Sequence, residues 1–370
     1  MKNVRGIIFA YHNYPELGDL GKYRTASALP FSARYRLIDF ALSGMMNAGI
    51  YNVDVLMQFG YQSLLDHFSG GRPWNMVRHN GGLHPMLAKV NAGVYGGDME
   101  ALATIYTHLR DYIKEEYIVM TRGDLCANVD VKRLLDEHVA SGADMTALCT
   151  DRPLPGEHHC FIPDGDGFAK DLLCRRNEAT EGVRSLETYV VSRENLLKMV
   201  KWCAEGDRLH FHRDAMLHMM RDEGWRIKLQ MHEGYARTVT SIQEYFDASK
   251  EMLDTQRIRD LFKDEREIAT RARSDVSTYY SDTCKVRDSL VADGCVIEGD
   301  IDHCLISSGV RIAPGAKLRN CVVMNNTTIE SGADLTNVIL DKDVTVKTGV
   351  KLVASEKLPL VVPRNGVIAE

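Results

Sequence analysis

The 370-residue sequence has no C-x-x-C pair, no apolar run of membrane-spanning length and no glycine-rich loop after its first apolar segment. Each absence removes a class of protein. Nine cysteines, an odd number without paired spacing, argue against a secreted disulfide framework and for reduced thiols in the cytoplasm. No segment approaches the ~20 apolar residues that cross a bilayer. The N-terminal "MKNVRGIIFAYHNYPE" has too short an apolar core, and no small-residue cleavage site, to act as a signal peptide. A formal net charge of -6 gives no reason to expect nucleic acid or an acidic membrane surface as partner. With only three tryptophans, Trp74, Trp202 and Trp225 read as packing residues. The missing glycine-rich loop is the most specific absence. Val4, Ile7, Ile8 and Phe9 read as a buried strand, and in α/β proteins such a strand commonly feeds a phosphate-cradling loop. Here "AYHNYPELGDL" follows.

What is present divides into two halves, and 370 residues suffice for two cores. Over residues 1–255 short β-rich runs alternate with helical patterns. "NVDVLMQF", "EYIVMTRGD", "ADMTALCT", "LETYVVS" and "WRIKLQMH" read as strands. "VKRLLDEHVASG", "RENLLKMVKWCAEG" and "HRDAMLHMMRDEG" read as amphipathic helices. This alternation predicts an α/β domain with a mostly parallel sheet covered on both faces. Residues 256–283 read as a helix and linker. From 284 to 370 the helical period disappears and a repeat takes over. Its units begin at Val286, Ile301, Leu318 and Leu335, spaced by 15, 17 and 17 residues, with Gly, Asn and Asp at the corners. Such units bury their apolar residues only by stacking, which predicts a left-handed parallel β-helix of hexapeptide type with four coils. Ser289, Cys304, Cys321 and Val338 share one repeat position and are expected as an inward column of small side chains.

An α/β domain followed by a β-helix narrows the field, and five ordered segments narrow it further. "RTASALPFSARYRLIDF" resembles the R-A-K-P-A-V-P-F-G-G-K-Y-R-I-I-D-F stretch of glucose-1-phosphate adenylyltransferases. "QFGYQSLLDHF" resembles their Q-Y-x-x-x-S-L-x-x-H segment, and "GDLCANVDV" their G-D-H-x-Y-x-M-D-Y. "GYARTVTSIQEYFDASKEML" resembles G-Y-W-x-D-V-G-T-x-x-x-Y-x-x-A-N-x-x-L, and "REIATRARSD" with "VRDSLVADGCVIEG" resembles the linker and first coil. The resemblance implies a Rossmann-like nucleotidyltransferase (GT-A-like) domain. It also implies chemistry that joins ATP to glucose-1-phosphate, giving ADP-glucose and pyrophosphate with Mg²⁺ held on carboxylates.

Four parts of that machinery are altered. The family loop G-G-x-G-x-R-L is replaced by bulky residues, with Glu16 and Asp19 adding negative charge. At about 4 Å and an effective dielectric near 20, each like-charge contact costs about 4 kcal/mol. Ala26 stands where R-A-K-P has lysine, while Arg24 matches the preceding arginine and is a phosphate-site candidate. Asp124 matches the first metal-binding aspartate and is the one metal candidate, with a strand-end carboxylate capping a turn as its alternative role; the second is replaced by Thr238, and the neighbouring glycine by Thr240. The sugar-phosphate motif F-x-E-K-P is absent from "GFAKDLLCRRNEA", leaving Lys170 and Arg175 unaligned, and "GDMEA" brings Asp98 and Glu100. Arg34 and Arg36 fall where the family binds sugar-phosphate effectors, and arginine suits bidentate phosphate contact; ion pairing within the fold is their alternative role.

The losses together resemble the GlgD-type subunit that accompanies a catalytic subunit. On this reading the chain needs no cofactor of its own, Mg²⁺ and ATP act in the partner, and the assembly is a hetero-oligomer, expected as a tetramer. A sugar-phosphate or nucleotide effector is a further expected partner. Two other functions are weighed. A remodelled active nucleotidyltransferase would use Asp124 and Arg24. A hexapeptide acyltransferase would need His303, the one histidine of the β-helix. The histidines in "HHC" and "HFHRD" read as ordinary loop residues, because neither has a second half at metal-ligand spacing.

Overall fold

A computed structural model describes residues 3–78, 81–87, 95–176 and 182–369. The first apolar segment becomes the central strand of the main sheet, Val4–Phe9. Parallel strands flank it, Val53–Met57 on one side and Tyr117–Arg122 on the other, and Leu83–Leu87 extends the parallel block. Val183–Ser192 then runs antiparallel to Tyr117–Arg122. Beside it lie Met145–Thr150 and the hairpin of His158–Pro163 with Ala169–Arg176. The sheet is therefore parallel at its heart and turns antiparallel at Val183–Ser192. Alternating β and α patterns do not reveal such a reversal, since a strand's composition carries no direction.

The helices start where side chains can accept the orphan N–H groups of a first turn. Asp130 caps Val131–Ser141, Ser192 caps Arg193–Ala204, and Ser241 caps Ile242–Glu251. The helix expected over "HRDAMLHMMRDEG" is split. A wide turn covers Phe211–Met216, with Asp214 accepting from the Leu209 and His210 N–H groups, and a short α-helix covers Leu217–Arg221.

After the helix Thr255–Leu261 the chain crosses the domain in extended form, held where Ser43 Oγ accepts from the Ala269 N–H at 2.9 Å. The C-terminal part is the left-handed parallel β-helix, three parallel sheets with one strand per coil in each. Val286 pairs with Ile301, Ile301 with Leu318, Leu318 with Leu335 and Leu335 with Leu352, so the ladder follows the repeat spacing read from the sequence. The last pairing adds a fifth coil, whose strands Lys351–Val353, Leu360–Val362 and Val367–Ile368 are separated by an irregular insertion that hides the repeat. One column of corners, Asp288, His303, Asn320 and Asn337, has positive φ; Asn and Asp tolerate this left-handed turn best among residues with a side chain. Cys304, Cys321 and Val338 are buried as an inward column, while Ser289 is half-exposed on the first coil.

A shared apolar core joins the two parts. Leu17, Leu20, Phe31 and Phe246 pack in one cluster with Leu305, Val322 and Ile339. Inside this seam Arg24 Nη2 donates to both oxygens of Asp341, at 2.7 and 2.5 Å. Arg24 is 3% exposed and Asp341 0%, so neither charge is shared with water. Removing one member of a buried pair strands the other and costs roughly 3–5 kcal/mol, whereas replacing both with apolar groups can be neutral. Arg24→Met should therefore lower the apparent melting temperature sharply, and Arg24→Met with Asp341→Leu should recover most of the loss. Equal losses in the single and double variants would assign the effect to packing instead of charge.

Candidate active site and effector cavity

The parallel strands end together, and a cleft of about 710 Å³ opens beyond their C-terminal ends, where α/β sheets place ligands. Segment Tyr11–Glu16, which replaces the glycine-rich loop, forms one wall. Glu16 lines the cleft and Asp19 does not. Strands Leu125–Ala127 and Ala236–Thr238 pair antiparallel, with Thr238 opposite Leu125. The two metal-ligand positions implied by the resemblance are thus neighbours in space, and only Asp124 carries a carboxylate.

That carboxylate is occupied. Arg122 Nε and Nη2 donate to Asp124 Oδ1 and Oδ2, both at 2.8 Å, and Tyr14 Oη donates to Oδ2 at 2.9 Å. Arg122 Nη1 lies 3.1 Å from Glu187 Oε2. Glu187 sits on a bulge where the pairing with Met145–Thr150 shifts register between Ser185 and Tyr189, and its φ of +49° is a strained value for a residue with a side chain. The bulge is what turns its carboxylate toward Arg122. Burial works against ionisation of all three groups. Their mutual attraction outweighs it, raising the Arg122 pKa and lowering those of Asp124 and Glu187. Mg²⁺ needs open carboxylate oxygens, and this donor set does not fit it: both oxygens of Asp124 are already held by Arg122 and Tyr14. Arg122 and Glu187 lie within segments read from sequence only as strands, and nothing local marks them as partners.

The other candidates separate. Arg24, expected at a phosphate site, is turned away into the seam with Asp341, so it is corrected from a ligand residue to an interdomain contact. Ala26 is fully buried in the apolar cluster of that seam. Arg34 and Arg36 line a second cavity of about 470 Å³ together with Arg271, Arg273 and Lys342. Arg34 is exposed, while Arg36 Nη1 donates to Ser63 O and Oγ at 2.6 and 2.9 Å. Burial, with help from Arg24 and Arg271, lowers the Arg36 pKa to about 10. Burial and then Arg36 and Arg24 lower that of Lys342 to about 7. The side chain of Arg175 lies outside the described residues.

The histidines correct a further expectation. His158 and His212 are buried, and the two histidine-bearing segments converge in the cleft wall. His159 stacks on His212 with centroids 3.6 Å apart, and Tyr189 Oη meets His212 Nε2. Burial and the neighbouring His159 push the His212 pKa down to about 3, so its ring is neutral. On the opposite wall Tyr11 Oη donates to Asp98 Oδ1, and His12 Nε2 lies 3.4 Å from the same oxygen.

Fold and cleft define a nucleotidyltransferase-type domain joined to a hexapeptide β-helix. Family models agree: one described as nucleotidyl transferase matches residues 16–157, and one described as GlmU-like C-terminal hexapeptide matches residues 275–357. The chain is 28% identical over 323 residues to a glucose-1-phosphate adenylyltransferase of Thermosipho africanus, covering 85% of this chain and 78% of the relative. A Pseudothermotoga lettingae protein of the same name is 29% identical over 325 residues, covering 85% and 76%. The glycogen biosynthesis protein GlgD of Bacillus subtilis is 27% identical over 306 residues, covering 82% and 79%. The resemblance read from the motifs, to glucose-1-phosphate adenylyltransferases with their GlgD-type relatives, is thereby borne out.

If Arg122 stands in for a metal ion, removing it should expose a cation site. Arg122→Ser should be less stable than the parent by up to roughly 3 kcal/mol, because buried Asp124 and half-buried Glu187 lose their counter-ion. Added Mn²⁺ should restore part of its melting temperature and leave the parent unchanged. Equal effects of Mn²⁺ on both proteins would show that Arg122 does not block a metal.

Proposed function

We propose that this chain is a regulatory or stabilising, catalytically impaired subunit of an ADP-glucose pyrophosphorylase of glycogen synthesis, working in the cytoplasm beside a catalytic subunit. The observation that carries the reading is the clamping of Arg122 on Asp124 and Glu187. Transfer of a nucleotidyl group requires neutralisation of phosphate charge during the reaction, by metal and by cations that are free to move onto the phosphates. In this cleft the one matching carboxylate and its nearest cation are bound to each other. Ala26 supplies no charge, and Thr238 supplies no metal ligand. On this reading Mg²⁺ and ATP act in the partner subunit, this chain requires no cofactor of its own, and the assembly is a hetero-oligomer, proposed as a tetramer.

The cavity between the two domains is the proposed effector site. Arg34, Arg36, Arg271, Arg273 and Lys342 give it strong positive character, and Asp275 is paired with Arg273 at 2.5 Å. Its lining joins the α/β domain to the β-helix, so a ligand there would touch both parts.

Two measurements test the reading. The purified chain alone should make negligible ADP-glucose, and mixing it with a catalytic homologue should raise that subunit's activity or alter its response to effectors. Substantial turnover by the single chain, abolished by Asp124→Asn, would establish a remodelled active enzyme and reject the proposal. In the effector cavity a bound anion favours the charged form of Lys342, so binding takes up a proton above about pH 7. Affinity for sulfate, which does not titrate in this range, should accordingly weaken from pH 7 to 9, by at most about tenfold per pH unit, and Lys342→Met should remove that dependence. A pH-independent affinity in the parent would exclude Lys342 from the site.

A further inference from the structure

The cleft that no longer suits a triphosphate is still about 710 Å³, within the usual size range of small-molecule sites. Its chemistry follows from which groups remain available. Every carboxylate inside it already faces an internal cation or donor. Asp124 and Glu187 share Arg122. Asp98 accepts from Tyr11 and pairs with His12, whose pKa the carboxylate raises against the opposing effect of burial. At the rim Arg213 is drawn to Asp214 at 2.8 Å, while Glu16 and Glu157 are exposed beside the opening. A phosphate entering this cleft would meet acidic groups at its mouth and no unpaired cation among the described residues. An amine would meet unpaired carboxylates only at the mouth, at Glu16 and Glu157, and none inside among the described residues.

Two acceptors nevertheless stay open. Asp98 uses Oδ1 for Tyr11 and His12, and Glu187 uses Oε2 for Arg122. The opposite oxygens, Asp98 Oδ2 and Glu187 Oε1, make no hydrogen bond among the described residues. Both side chains are 18% exposed. These are ionised acceptors whose charge is compensated from behind, the arrangement that binds hydroxyl donors most strongly without demanding a charged ligand. The ring faces around them are largely taken by one another. Tyr11 stacks on His12 at 4.5 Å and meets Tyr95 edge-on at 4.9 Å, and His159 lies on His212. A flat base would find few open faces to stack on. A ligand rich in hydroxyls needs none.

We infer that the cleft binds an uncharged saccharide, with hydroxyl groups donating to Asp98 and Glu187. The inference rests on the reading of the cleft as no longer catalytic and gives the emptied site a ligand of its own. It makes the subunit a candidate sensor of neutral sugar, separate from the cationic cavity that would take anions.

The test is titration calorimetry of the full chain with glucose and maltose, beside glucose-1-phosphate and spermidine. The expected result is binding of a neutral sugar at millimolar concentration, with glucose-1-phosphate weaker than glucose by at least about tenfold. Asp98→Asn should weaken sugar binding by about tenfold. Because that change also disturbs Tyr11 and His12, a second variant is needed. Thr238→Trp fills the rim from a half-exposed position and should abolish sugar binding in a chain of unchanged melting temperature, while Arg34→Ala in the other cavity should leave it intact. Three results would overturn the inference: no heat with either sugar up to about 20 mM, sugar binding that survives Thr238→Trp, or tighter binding of glucose-1-phosphate or spermidine at the position Thr238→Trp blocks. Turnover by the single chain would instead defeat the subunit reading, so the two failures are separable.

Discussion

The cleft is organised around one guanidinium. Arg122 stands between Asp124 and Glu187, and burial leaves each of these charges dependent on the others. Strip the arginine away and two carboxylates face each other in a region of low polarity; strip either carboxylate and a cation loses half its support. Tyr14, in the segment that replaces the phosphate loop, accepts from Arg122 and donates to Asp124, which ties the loop to the same centre. The segment is thereby held in place without a glycine-rich turn.

The two cavities divide charge between them. In the cleft the cations of the described residues, Arg122, His12 and Arg213, are internally matched, whereas the cavity between the domains gathers Arg34, Arg36, Arg271 and Lys342 with little to offset them. The seam explains how such a cavity is stable. Asp341 precedes Lys342 in the chain and is fully engaged by Arg24, so a buried ion pair lies directly behind the basic wall. The cost of crowding like charges appears in the lowered pKa values of Arg36 and Lys342. The same seam joins the apolar residues of both domains, which fixes the geometry of the groove.

Much of the architecture is legible in the sequence. The 15- and 17-residue spacings became strand pairings without a shift, because a β-helix coil closes only at a fixed count of residues per face. The fifth coil escaped notice because residues 354–359 interrupt its period. Ala26 and Thr238 are legible as departures from the resembled motifs from the letters alone, since a methyl or a hydroxyl differs from an amine or a carboxylate wherever it points. Arg24 shows the limit of that logic. An arginine retained beside altered neighbours suggests a retained ligand contact, yet its side chain turns to a partner in the other domain.

The sequence by itself determined the two-part fold, the order of its segments and the replacement of motif residues at Ala26 and Thr238, because periodicity and side-chain chemistry are local properties. Only the tertiary structure decided where the remaining charges go. Arg122 finds Glu187, Arg24 finds Asp341, and two histidine segments meet in one wall, each through contacts between residues distant in the chain. In a buried cleft, electrostatics depends on separation in space and on exclusion of water, and neither can be read from a single strand of letters. The opening segment "AYHNYPELGDL" shows a departure from a glycine-rich loop in its letters, and only the folded cleft shows that its Tyr14 reaches Arg122 and Asp124.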